Sequence, residues 1–262
     1  MQKVSFYSML LLLTSLILTS CGGDEDLDSP VKPKKQMFLT AMYKDGEPIF
    51  KNAKYDEIGR IVSYYKYSGE FKYSYEGDRI LRGKVVYTIK NGLISTSGSG
   101  SDEEYNRAFT YINNKLSEVR EWDSQGGYKR YKWENGNMLS CSSFAEHGKP
   151  NGTNTFKYIS QPNYMGIFQS YFFRYTSVFF DSWNIDPFLA FAGYFGDLPK
   201  NLVVSAGYSD EGKNKIDYTK FNEYGYPTEV TVTWPREDYY NPEETHIYTM
   251  NWEFPNQASS DN

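Results

Sequence analysis

YTIKNGLI, residues 87–94, decides the fold. Tyr87 and Ile89 alternate with Thr88 and Lys90, the period of a strand with one face buried. Asn91-Gly92 supplies the positive φ angles of a tight hairpin turn, and Leu93 opens the returning strand. The same grammar recurs about every twenty residues. Phe71-Lys-Tyr73-Ser-Tyr75 is followed by Gly77 and Ile80, Phe109-Thr-Tyr111 by Asn113-Asn114 and Leu116, and Tyr131-Lys-Trp133 by Asn135-Gly136 and Met138. Phe156-Lys-Tyr158 repeats the aromatic step. These residues specify an all-β chain: a strongly curved antiparallel meander of hairpin units, forming a soluble open or half barrel with its rings turned inward.

A second repeat marks the corners. YDEIG at 55–59 returns as FNEYG at 221–225. Tyr55 and Phe221 end a strand, Asp56 and Asn222 cap a type I turn, and Gly59 and Gly225 take the left-handed position that closes it. The motif resembles the YD repeats of bacterial shell-forming proteins. Those run as many near-identical copies, whereas a hairpin corner accounts for the two found here.

Residues 164–196 break the pattern, being dense in Phe and Tyr without sustained alternation. Asp186 caps a helix there, Pro187 fits its first position and Gly196 stops it, giving one short apolar helix on the sheet or plugging its open end. Strand character returns in KNLVVSAGY, KIDYTKF, TEVTVTW and THIYTMNWEF.

The N-terminus sets the compartment. Lys3 precedes the apolar run Leu10–Ser20, too short for a membrane span and suited to a signal peptide over residues 1–20. Leu18-Thr19-Ser20-Cys21 resembles the lipobox of bacterial lipoproteins, which makes Cys21 the lipid attachment residue and the first mature one. Residues 21–36, rich in Gly, Asp, Pro and Lys, form a solvated tether. Its acidic start, Asp24-Glu25-Asp26, resembles the tract that sends Bacteroidetes lipoproteins to the outer face of the outer membrane. A single β-rich domain follows over 37–254, with a polar tail at 255–262. The formal charge is −5, and since Lys3 is the one charged residue of the leader, the mature chain carries −6. Such a mildly acidic, well-mixed surface argues against nucleic acid as a partner. The lipid would be the chain's only attachment to a membrane.

The lipobox, the aromatic hairpins, Tyr194-Phe195-Gly196 to Lys200-Asn201-Leu202, and Asn222-Glu223-Tyr224-Gly225-Tyr226-Pro227-Thr228 together resemble a family of Bacteroides lipoproteins, domain of unknown function 4595, over roughly residues 37 to 254. The resemblance implies a porin-like, strongly curved antiparallel sheet and no particular activity. A membrane-spanning porin fits poorly, because lipid-facing positions would have to be apolar in every strand.

Chemistry is sparse. His147 and His246 are far apart, and neither has a Cys, Asp or Glu at metal-ligand spacing. No Gly-rich loop opens a helix, so no nucleotide cofactor is expected. Cys141 fits a buried, apolar role. Asp102-Glu103-Glu104, Glu237-Asp238 and Glu243-Glu244 are adjacent acids in turn-like contexts and suit solvation better than general acid–base work. Aromatic residues make 18% of the chain, and rings on a concave sheet either fill its core or stack on a ligand. Any ligand site is expected on the inner face near 164–196, with Trp183, Tyr171 and Tyr175 as contact residues. The functions left are a surface binding module for glycan or protein and a non-enzymatic scaffold; a glycan hydrolase fits least.

Overall fold

The computed structural model describes residues 36–67, 69–99, 105–121, 127–172, 185–207, 213–235 and 242–254. Sixteen strands follow one another as a meander. The first eight are β1 (Phe38–Lys44), β2 (Glu47–Tyr55), β3 (Ile61–Lys66), β4 (Gly69–Glu76), β5 (Arg79–Arg82), β6 (Val85–Lys90), β7 (Leu93–Ser99) and β8 (Tyr105–Ile112). The rest are β9 (Lys115–Glu121), β10 (Tyr128–Glu134), β11 (Asn137–Phe144), β12 (Pro150–Pro162), β13 (Asn201–Gly207), β14 (Asn214–Phe221), β15 (Pro227–Trp234) and β16 (Glu244–Glu253).

The expected open or half barrel is corrected: the sheet closes. β1 pairs antiparallel with β16 from Phe38↔Glu253 to Lys44↔Tyr248, completing a ring in which every other pair is adjacent in sequence. This closing pair has no connecting turn, so no local residue pattern announces it.

Hairpin turns follow the even-numbered strands at the end of the barrel where β1 begins, here the near end. Asn91 and Gly92 sit at φ 54° and 80°, Asn113 and Asn114 at 49° and 61°, and Asn135 and Gly136 at 49° and 78°, both central residues left-handed as a type I′ turn requires. The two corners match bond for bond. Asp56 Oδ1 accepts the amides of Ile58 and Arg60, Asn222 Oδ1 those of Tyr224 and Tyr226, and Gly59 and Gly225 share φ 83°.

Alternation fills the inside with apolar groups and leaves the outside wet. On β12, Asn154 and Phe156 are buried while Thr153, Thr155 and Lys157 are exposed; on β4, Tyr73 is buried between exposed Lys72 and Ser74. This is the reverse of a lipid-facing barrel, whose outer band is apolar. One aromatic of each repeat, Tyr73, Tyr87, Phe109, Tyr131 or Phe156, points into the core.

The next aromatic has a different task. Where the backbone ladder between an even strand and the odd strand before it runs out near the near end, a side chain of the even strand donates to a carbonyl of the odd one. Tyr55 reaches Leu39, Tyr75 Ile61, Tyr111 Ile94, Trp133 Leu116, Tyr158 Met138, Tyr218 Val203 and Trp252 Pro227, all within 2.6 to 2.9 Å. Seven of eight such seams carry this bracket among the described residues. At the eighth, β5 to β6, Ile89 stands in its place, and its amide donates to Asp78 instead. The recurring aromatic-x-aromatic step thus encodes one core ring and one seam.

A ring of sixteen strands is wide enough for an aqueous channel, yet this lumen is occupied by the described parts of the connection between β12 and β13. A 3-10 turn at Gly166–Phe172 and helix α1 (Pro187–Phe191) lie within it. Phe168 and Phe188 pack on Phe50 of β2, Phe172 on Tyr248 of β16, and Phe195 on Phe109 of β8, so the segment touches walls on all sides. Asp186 caps α1 and Pro187 opens it, as expected. The helix ends earlier than Gly196, however, because Gly193 turns left-handed at φ 88°. Gly196 instead bridges Lys115, where a Cβ would meet the Asn114 carbonyl oxygen at 2.2 Å.

Candidate functional site

The lumen holds a concentrated polar group where the plug meets β3 to β6. Alternation carries Ile80 inward on β5, and two residues on it carries Arg82 inward as well, at the last strand position before the far end. Arg82 pairs with Asp186, whose Oδ2 also accepts the Tyr73 hydroxyl at 2.7 Å. Asp186 Oδ1 takes the amides of Phe188 and Leu189 at 2.9 and 3.2 Å. The carboxylate is wholly enclosed and occupied by four donors, so it ties the plug to the wall.

Lys66 ends β3 as Arg82 ends β5, and the two close the same side of the far mouth. Its ammonium lies 5.4 Å from the ring centre of Tyr67 and 6.0 Å from that of Tyr171. Burial, then the like charge of Arg82, holds it below the ordinary lysine range. Tyr64 reaches both Tyr73 and Arg82 with its hydroxyl, and burial beside Asp186 pushes that phenol up to about 12. Burial raises the phenols of Tyr73, Tyr87 and Tyr171 further still. The phenols are therefore fixed as neutral donors. Phe71 stacks on Tyr64 with centroids 5.2 Å apart and planes 10° from parallel, and keeps 38% of its surface exposed.

Of the residues expected to contact a ligand, Tyr171 stands in this group, half-buried and packed on Phe50. Trp183 and Tyr175 lie outside the described residues, as does Cys21. Sequence reasoning missed Lys66 and Arg82, although strand parity alone turns Arg82 inward.

A second polar group lies at the far ends of β1, β15 and β16. Val232 opposes His246 in the ladder, so the imidazole shares the face of a buried side chain. Its ring nitrogens meet Asp45 Oδ2 at 2.7 Å and Glu244 Oε2 at 3.1 Å, and Trp234 packs against it at 4.2 Å. The spacing argument passed over Glu244, two positions earlier on the same strand face, and could not find Asp45, which reaches His246 across the ring closure. At the near end, where the β9–β10 ladder stops at Glu118↔Arg130, a cleft of about 500 Å³ opens between Lys115–Ser117 and Tyr131–Gly136, with Trp133 in its wall and the exposed Ile112 at its lip.

No protein-family model matches the sequence, and no curated protein is significantly similar to it. Solved structures share its architecture. A porin-like protein from Bacteroides uniformis aligns at TM-score 0.59 and 15% identity over 82% of this chain and 98% of its own. A porin-like protein from Bacteroides vulgatus aligns at 0.53 and 17% over 83% and 99%. At these identities the likeness is one of fold.

Proposed function

We propose that the chain is a lipid-anchored protein of a Bacteroides-type outer membrane, exposed at the cell surface, whose barrel serves as a binding module for glycan. The observation that carries this reading is the far-mouth group itself: neutral phenol donors, two cations and a partly exposed aromatic face converge on one side of a filled lumen. That is a recognition surface without a conduit. The lipobox at Cys21 and the acidic tether support the anchor, and the ordered hairpin motifs support kinship with domain of unknown function 4595. We read the role as non-enzymatic: among the described residues the one enclosed carboxylate, Asp186, is consumed by structural bonds. A second reading, docking of a protein as part of an outer-membrane assembly, is favoured by the near-end cleft and its exposed Ile112.

Two experiments test the proposal. Membrane fractionation of Cys21→Ala should move the protein to the soluble fraction, and retention after a high-salt wash would refute the anchor. The purified full-length protein in detergent, applied to a glycan array, should retain a defined subset of glycans that Phe71→Ala no longer holds. An array without any retained glycan would refute the glycan reading.

A further inference from the structure

Resting on the glycan reading, we propose that the far mouth selects saccharides bearing a carboxylate, with Lys66 as the residue that distinguishes them from neutral sugars. The argument is a charge count. Asp186 is the carboxylate that faces this group among the described residues, and Arg82 neutralises it directly while Tyr73 and two amides fill its remaining acceptor positions. Lys66 is then in surplus. Its described contacts are the faces of Tyr67 and Tyr171, which attract a cation without cancelling its charge. An ammonium that is half-desolvated and repelled by Arg82 gains most from an anion brought to it.

The surroundings narrow the class of anion. One uncompensated positive charge matches a monoanion, while a phosphate dianion would leave a charge over, because the Arg82 fork is already committed. Phe71, flat against Tyr64 and open to water, offers the apolar surface on which the C–H face of a pyranose ring stacks. Tyr171, half-buried and held protonated, supplies a hydroxyl for ring substituents, while Tyr64, buried and already bonded to Tyr73 and Arg82, backs the stacking ring. A cation beside a stacking ring and a neutral phenol suits a sugar acid, such as a hexuronate or a sialate.

The test is calorimetric titration of the full-length protein in detergent with oligosaccharides of galacturonate, glucuronate and sialate, each alongside its carboxyl-reduced neutral form. A charge-assisted contact predicts that at least one acidic form binds roughly tenfold or more tighter than its reduced counterpart. Lys66→Met should collapse that ratio to about one, and Lys66→Arg, which keeps the charge, should preserve it; thermal melts of both variants separate loss of recognition from loss of fold. Equal binding of acidic and reduced forms, or a ratio unmoved in Lys66→Met, overturns the proposal while leaving glycan binding intact. Failure of every oligosaccharide on both this panel and the array overturns the glycan reading and the proposal together.

Discussion

The Trp133 indole donates to the Leu116 carbonyl at 2.8 Å, two residues beyond the point on β9 where its backbone pairing with β10 has ended. A side chain here takes over from the ladder. Trp133→Phe keeps most of the ring but removes the donor, leaving a partly buried carbonyl unmet. The expected loss is about 1–3 kcal/mol in a denaturant melt. Tyr158→Phe, at the seam between β11 and β12, should behave the same way; no loss in either variant would show that the brackets carry no stability.

Asp186→Asn is the sharpest test of the plug. Asparagine retains an acceptor for the α1 amides but strips Arg82 of its counter-charge in a buried setting. Breaking such a pair from one side costs about 3–5 kcal/mol. Replacing Arg82 by Met in the Asp186→Asn background should recover part of that loss, and a double mutant no better than the single would place the cost elsewhere.

The twin corners should respond unequally. Gly59 and Gly225 share φ 83°, but a Cβ on Gly59 would press on the Phe38 ring at 2.8 Å, whereas one on Gly225 meets only Tyr164 at 3.6 Å. Gly225→Ala should cost the left-handed strain alone, about 1–2 kcal/mol. Gly59→Ala should cost more, by about 1 kcal/mol for displacing a packed ring. Thermal melts of both variants decide it, and equal losses would mean that Phe38 yields freely.

Alkaline pH should unfold the barrel cooperatively. Tyr64 is raised from 10.0 to about 12 by burial and Asp186, and Tyr73 and Tyr87 are raised by the same causes. A phenol raised in the folded state contributes stability that is whole below its unfolded value near 10 and is lost as pH rises through its folded value. The melting temperature should therefore be flat to about pH 9 and fall steeply between pH 10 and 12. Absorbance at 295 nm should show exposed tyrosines ionising first and the luminal ones only with unfolding. A single smooth titration near pH 10 with no loss of structure would contradict the burial.

The strands were legible because their rules are local. Tyr87, Ile89, Asn91 and Gly92 state a strand and its turn within six residues, and Asp186-Pro187 states a helix start in two. Closure was not legible, since Phe38 and Glu253 meet from opposite ends of the chain. Nor was the candidate site: Lys66 and Arg82 look like ordinary strand-end charges until the fold brings Asp186 to them. The aromatic surplus had two readings in sequence, core or platform. The structure divides it by position, giving the first ring of each pair to the core and the second to a seam, with Phe71 left over at the mouth.

Closure through β1 and β16 also fixes an order of events. Fifteen of the strand pairs can form as the chain emerges, because their partners lie next to each other, but β1 waits for the last strand made. Until then β1, with its buried Leu39 and Met42, and β15, with Val230 and Val232, are open edges of the kind that recruit strands from neighbouring chains. Export of the kind the proposed lipid anchor requires therefore favours keeping the chain unfolded until its C-terminus is through. Deleting 244–254 should accordingly yield not a loosened barrel but a self-associating one, with molecules lending each other the strand they lack.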